Sequence, residues 1–235
     1  KVGTAAPLTW IKMGSATSAE IENLANTLKP TDIMTVKTTD PADASYTKIV
    51  ANGKTEWIKL NPGMEKAAAF LETHRYAAYL GASLGFTKME GTTVNAKDKI
   101  AYSALQNVQS SMVAGNAANV PGNGISVPKQ LVAGAVMALN LRGSQKDTDG
   151  GAINSEWMPA DTKALLAGED ITADALGNTA NPNKVANPDN LKFSEKLRTL
   201  FIGEDSSQHV NNFLWAYNVD TKALSRILSV PAGAE

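Results

Sequence analysis

The sequence predicts a mainly β protein, part of a β-propeller with inserted helices, and three observations carry that expectation. Residues 187–230 hold four short strand-like runs separated by turns. The same pattern stands earlier in the chain at a constant offset of 99 residues, the separation of Glu90 from Asp189. Repetition of one supersecondary unit marks radial or stacked folds. The helical patterns fall outside both copies and therefore read as insertions.

In chain order, Leu8-Thr9-Trp10-Ile11-Lys12 alternates like a short strand. Thr17 reads as a helix N-cap with Glu20 closing a capping box, and Ile21, Leu24, Ala25 and Leu28 keep helical spacing until Pro30 ends it. Ser45 to Ala51 and Lys54 to Leu60 flank Asn52-Gly53, a hairpin signal because both residues tolerate the positive φ of a tight turn. Asn61-Pro62 offers a cap and first turn for an alanine-rich helix running to about Ala82, with Gly81 and Gly85 as stops.

The first repeat lies near 86–142. Met89-Glu90-Gly91 aligns with Pro188-Asp189-Asn190, Thr93-Val94-Asn95 with Lys192-Phe193-Ser194, and Ala101-Tyr102-Ser103 with Leu200-Phe201-Ile202. Gln106 and Asn107 fall where Asp205 and Ser206 fall, and Gly134 to Leu141 matches Asn212 to Val219 after an extra loop. Residues 143–183, rich in Gly, Asp, Asn and Thr, read as an excursion with a short helix around Pro159 to Ala167. The second repeat, near 187–230, starts at Asp189, returns through Leu200-Phe201-Ile202 to Gly203-Glu204-Asp205, and adds strands from Asn212 to Asp220 and Leu224 to Val230. In a propeller blade the first strand starts on the face where the second ends, so Asp189 is expected near Glu204 and Asp205.

A chain of 235 residues can hold a sizeable core. A six-bladed propeller at about 40 to 50 residues per blade needs more. The expectation is therefore a central and C-terminal portion of a longer chain, whose remainder completes the ring. The net charge of −1 leaves no electrostatic footprint for nucleic acid or an anionic membrane. Cysteine is absent, which excludes disulfides and thiolate metal sites within this span. The longest apolar run, Leu131 to Leu139, is too short to cross a bilayer.

Glu90, Asp189, Asn190 and Glu204 supply the carboxylate and amide oxygens that calcium prefers. Acids gathered at one narrow mouth repel one another, and a bound cation relieves that repulsion. The blander alternative makes Asp189-Asn190 a turn and Glu204-Asp205 a solvated strand end. Neighbouring strand residues point to opposite faces, so only one of Glu204 and Asp205 can face the axis. His209 reads either as a contact for phosphate or a ligand water, or as a surface loop residue. Trp215 and Tyr217 alternate as core residues. Arg75 either reaches the mouth or pairs with Glu72 or Glu65 on its own helix. Asp147 and Asp149 lack the spacing and closing glutamate of an EF-hand loop.

Lys88-Met89-Glu90-Gly91, Asn187-Pro188-Asp189-Asn190-Leu191 and the run from Leu200-Phe201-Ile202-Gly203-Glu204-Asp205-Ser206 through His209-Val210-Asn211-Asn212-Phe213-Leu214-Trp215 resemble the PhoX-type alkaline phosphatase family. Glu72-Thr73-His74-Arg75-Tyr76-Ala77-Ala78 resembles the helix that precedes the family's glutamate motif. The resemblance implies a six-bladed propeller, exported to the periplasm or beyond, whose axial calcium and iron hydrolyse phosphate monoesters. It implies Glu90, Asp189, Asn190, Glu204 and Asp205 as metal ligands, with Lys88 and His209 in catalytic positions. Lys88 stands where the family carries a phosphate-holding arginine; lysine keeps the charge and loses the bidentate fork. The family's cysteine ligand to iron has no counterpart here. A looser resemblance to calcium-dependent lactonase propellers leaves two alternatives open: a lactonase or esterase, and a calcium-binding propeller without catalysis.

Overall fold

The structure, a computed structural model, describes residues 3–51, 53–119 and 124–233. After a two-residue strand β1 (Ala6–Pro7) comes helix α1 (Ser18–Thr27). The Thr17 hydroxyl accepts from Glu20 N at 3.3 Å and the Glu20 carboxylate accepts from Thr17 N at 2.7 Å, so two otherwise unpaired helix-end donors are satisfied reciprocally. Pro30 ends that helix and opens the next, α2 (Pro30–Ile33), where its missing N–H costs nothing. Strands β2 (Met34–Lys37), β3 (Thr47–Ala51) and β4 (Lys54–Leu60) form an antiparallel sheet in the order β2-β4-β3. Ala51 pairs with Lys54 across the expected hairpin; Gly53 takes φ 70°, and Asn52 lies outside the described residues.

The alanine-rich stretch is two helices, α3 (Glu65–Leu71) and α4 (Thr73–Tyr79), rather than one from Asn61. Gly63, at φ 76°, turns the chain before the first, and Glu72, at φ −127° and ψ 41°, breaks the ladder between them. Ala67, Ala68 and Ala69 pack with Ile33, Met34, Ile49 and Ile58, giving this α/β portion its own core. Arg75 joins its helix to the sheet: its guanidinium donates to both carboxylate oxygens of Glu56, at 2.7 and 3.0 Å, and to Glu72 at 2.8 Å.

Two larger antiparallel sheets follow. Strands β5 (Met89–Asn95), β6 (Ile100–Leu105), β7 (Ala135–Arg142) and β8 (Met158–Ala167) join β1 in the order β1-β8-β7-β6-β5. Strands β9 (Pro188–Ser194), β10 (Thr199–Glu204), β11 (Phe213–Asn218) and β12 (Leu224–Ser229) make a second meander, β12-β11-β10-β9. The ends of β5 and β6 coincide with those of β9 and β10 at the 99-residue offset. The backbone repeats too. Lys88 and Asn187 are left-handed at φ 49° and 43°, and Lys99 and Arg198 at 53° and 50°.

Two sequence expectations are corrected. Leu8 to Lys12 is not a strand: the strand is Ala6–Pro7, and Trp10 makes an isolated bridge to Asp147 while its indole N–H donates to Pro159 O at 2.8 Å. The helix expected around 159–167 is strand β8, paired along β7 from Met158 to Ala167. Its alanines and leucines suit a helix in isolation, and pairing to a buried neighbour overrides that preference.

Tyr102, Val136, Phe193, Leu200, Ile202 and Trp215 form a core shared by the two large sheets. The sheets adjoin along β5 and β9. At Gly91 the backbones come so close that a Cβ would lie 2.5 Å from Asp189 O and 2.8 Å from Leu191 N. At the far end of the same strands Arg198 reaches across to Asp98, and also holds Asp220 at 3.1 Å.

Candidate functional site

Glu90 and Asp189 sit at equivalent points in the two sheets, each in a β-bulge. Met89 pairs with Leu105 and Thr92 with Ser103, so Glu90 and Gly91 share one partner position. Pro188 pairs with Glu204 and Leu191 with Ile202, so Asp189 and Asn190 do the same. A bulge bends a strand and re-aims a side chain. The left-handed residue before each bulge, Lys88 or Asn187, fixes the angle at which the strand begins. Its carbonyl accepts from the residue just past the neighbouring strand: Gln106 N donates to Lys88 O at 2.9 Å and Asp205 N to Asn187 O at 3.2 Å.

Asn187 ties the two bulges together. It is 6% exposed; its Nδ2 donates to Gln106 O at 3.0 Å and Val132 O at 2.8 Å, and its Oδ1 accepts from Ser206 Oγ at 2.8 Å. The sequence marked Asn187 only as the first residue of the run that opens the second repeat. Asparagine's tolerance of positive φ was the available signal for its positioning role.

Glu90, Asp189 and Asp205 come to one end of the β5–β9 seam. Burial pushes the Asp189 carboxyl above the usual carboxylate range, and the charges of Glu90 and then Asp205 push it further, with Lys88 acting against them. Lys88 Nζ lies 3.5 Å from Glu90 Oε1 and is 55% exposed, so it stands at the solvent side of the group. Asn190 is exposed beside Asp189. The Gln106 amide lies between two of the acids, its Nε2 3.5 Å from Asp189 Oδ2 and 3.5 Å from Asp205 Oδ2.

Glu204 and His209 belong elsewhere, which corrects both expectations. Glu204 points into the second sheet, where Oε1 accepts from Ala186 N at 2.8 Å and Trp215 Nε1 at 2.7 Å, and Oε2 from Phe213 N at 3.0 Å. His209 Nδ1 is 2.9 Å from Glu204 Oε2, and the side chains of both residues are 0% exposed. Facing a carboxylate, that nitrogen is the donor. The other, Nε2, faces Asn181 O at 3.3 Å, and the ring packs 4.9 Å from Phe213. His209 is therefore neither a surface loop residue nor a group at the mouth. It locks the loop after β10 to the second sheet, and Glu204 is consumed by backbone, indole and imidazole donors. Alternation along the strand sent Asp205 to the mouth and Glu204 inward.

Among the described residues no three acidic or histidine side chains stand close enough to enclose a metal ion. The donor chemistry nonetheless suits one kind of ion. Carboxylates of Glu90, Asp189 and Asp205 with amides of Asn190 and Gln106 are all-oxygen donors in a region of like-charge repulsion, which fits calcium. A thiolate-bearing iron centre does not fit, since the chain has no cysteine.

A cleft of ≈ 830 Å³ opens beside Lys88, walled by β3, α4 and the 81–88 loop and carrying Lys48, His74, Ser110 and Ser111 but no carboxylate.

No family model matches this chain, and no curated protein sequence matches it. A search of solved structures finds Pseudomonas fluorescens PhoX in complex with vanadate, a transition state analogue, with a TM-score of 0.50 and 16% identity. The match covers 85% of this chain and 35% of that one, so this chain spans about a third of its length. The likeness is one of fold.

Proposed function

We propose that this chain supplies two neighbouring blades of a propeller whose axial mouth, at Glu90, Asp189 and Asp205, binds calcium and hydrolyses phosphate monoesters. The observation that carries the reading is the convergence of Glu90 and Asp189 from equivalent bulges with Asp205 from the end of β10, and Lys88 alongside. The fold likeness to PhoX in its vanadate complex supports it, because vanadate is there the analogue of a transition state. Bound calcium would polarise the phosphoryl oxygens and offset their charge. Glu90, Asp189 and Asp205 hold the cation through oxygen, and the exposed Asn190 amide offers a further neutral oxygen. Lys88 meets the phosphate as a point charge rather than through a fork, which makes it a weaker orienting group than an arginine. The cleft beside Lys88 receives the organic half of the ester. Export to the periplasm or beyond goes with this reading; among the described residues no helix is long and apolar enough to cross a membrane.

Alanine at Glu90 or Asp189 in the full-length protein should abolish hydrolysis of a chromogenic phosphate ester while leaving the melting transition cooperative. Unchanged turnover in both variants rejects the site. A second reading, a calcium-stabilised propeller without catalysis, is favoured by the withdrawal of His209 into the Glu204 pocket, away from the three acids. It predicts a calcium-dependent rise in Tm with no turnover of phosphate esters or lactones.

A further inference from the structure

The repeat extends to all four strands of the two meanders. Tyr102 pairs with Ala138 as Phe201 pairs with Ala216, Ala104 with Val136 as Gly203 with Leu214, and Val136 with Leu166 as Leu214 with Leu228. A register shift follows Val136 in one sheet and Leu214 in the other, so even the irregularity recurs.

The first sheet grips the second through one face. Tyr102, Val136 and Ala138 are each no more than 2% exposed, and Leu165 and Leu166 pack beside them. They meet Phe193, Leu200 and Trp215 of the second sheet, and the Tyr102 ring lies 5.7 Å from that of Phe193. At the matching positions the second sheet carries Phe201, Leu214, Ala216, Ile227 and Leu228, a set of nearly the same shape and polarity. Side chains alternate along a strand, so Phe201, Leu214 and Ala216, with Leu228 paired to Leu214, lie on the face turned away from the first sheet. That face is open. Ile227 is 49% and Leu228 53% exposed, and Phe201, Leu214 and Ala216 are half-buried where their counterparts are enclosed. A contiguous exposed apolar patch marks an interaction site, and the seam inside the chain shows what this one receives: the face of another four-stranded sheet.

The chain also carries a free face of the receiving kind. On the first sheet Val94 stands where Phe193 stands in the second, with Ala101 and Leu139 where Leu200 and Tyr217 stand. Val94, Ala101 and Leu139 are direct cross-strand neighbours and so share the face opposite Tyr102. Val94 is 44% exposed and Leu139 half-buried. Nearer the mouth Met137 is packed with Val108 and Met112, so the free part of the face is its far end, around Val94.

We propose that the outer face of the second sheet docks the free face of the first sheet on a second copy of this chain, head to tail, with Phe201 meeting the partner's Val94 as Tyr102 meets Phe193 within the chain. A contact of this kind leaves one unused face of each sort on the pair, and successive copies close into a ring where the rotation allows. A ring of six sheets needs three copies. The docking is independent of any cation at the mouth.

Light scattering on the chain should give three times 24.8 kDa. Val94→Glu and Leu228→Glu each spoil one face at an exposed position, where substitutions leave the fold nearly unaffected. Each variant alone should run as a monomer with the wild-type melting transition. Mixed in equal amounts they should form a dimer and go no further, because each pair of chains then holds one intact face of each kind. A back-to-back dimer would be dissolved by Leu228→Glu and untouched by Val94→Glu, which overturns the head-to-tail contact. A monomeric wild type, the outcome if a different segment covers the face, overturns the proposal as a whole.

Discussion

Asp189 carries a carboxyl raised above its ordinary value, and the sign of its effect on stability follows. A carboxyl that is harder to ionise in the folded chain than in the unfolded one costs nothing in acid, where both forms are protonated. The penalty grows as pH rises from the unfolded value of about 3.8 and is complete once pH has passed the folded one. Asp189→Asn should therefore raise Tm at pH 7 in chelator by a few degrees while removing the calcium-dependent rise; a lower Tm in chelator would mean that the carboxylate is structurally required. Glu56 behaves oppositely. Hydrogen bonds from Arg75 hold its carboxyl below 4.5. Its contribution is present above that pH and lost as pH falls through the folded value. The Tm gap between wild type and Glu56→Gln should shrink on acidification below pH 4.5. At this scale the sequence placed Glu90 and Asp189 at equivalent points, because acids at matched offsets are visible as letters, and set Asp205 against the neutral Gln106. It misassigned Glu204 and His209, because which of two adjacent strand residues turns inward depends on a bulge that no residue announces.

The strands were legible where turn chemistry and alternation agreed, and illegible where pairing decided. Residues 187–230 gave four strands at their observed places because each run is bounded by polar turns, and the 99-residue offset proved to hold for backbone conformation as well as for residue type. Strand β8 was lost to its helix-like composition, and with it the closing strand of the first meander. Gly91 shows what the letters alone cannot say: its hydrogen faces the backbone of β9, and a methyl group there meets Asp189 O at 2.5 Å. The listener at that contact is rigid backbone, so Gly91→Ala has to part the two strands. It should cost about 1–3 kcal/mol in urea denaturation, as overpacking of a tight contact does. Glu204→Leu should cost more, since it strands three N–H donors and an imidazole at once, each unpaired donor costing about 1–3 kcal/mol.

The whole molecule places the two ends of one seam under different control. At the mouth, acids from β5 and β9 repel; at the other end, a seven-residue strand or about 20 Å away, Arg198 draws the sheets together through Asp98 and Asn95, and the Glu195 carboxylate accepts from Lys97 N at 3.2 Å. On the calcium reading proposed above, cation affinity would depend on how closely Glu90 and Asp189 are held, and they belong to different sheets. The packed core of Tyr102, Phe193 and Leu200 between the two ends is stiff, so loosening one end is felt at the other. Arg198→Ala should therefore weaken calcium binding several-fold although it touches no acid of the mouth, and the loss should be largest at low salt, where the clamp is least screened. Calorimetry of the variant at two ionic strengths checks this. An affinity equal to wild type at both would mean that the sheets keep their spacing through the core alone and that the mouth is set locally by its bulges.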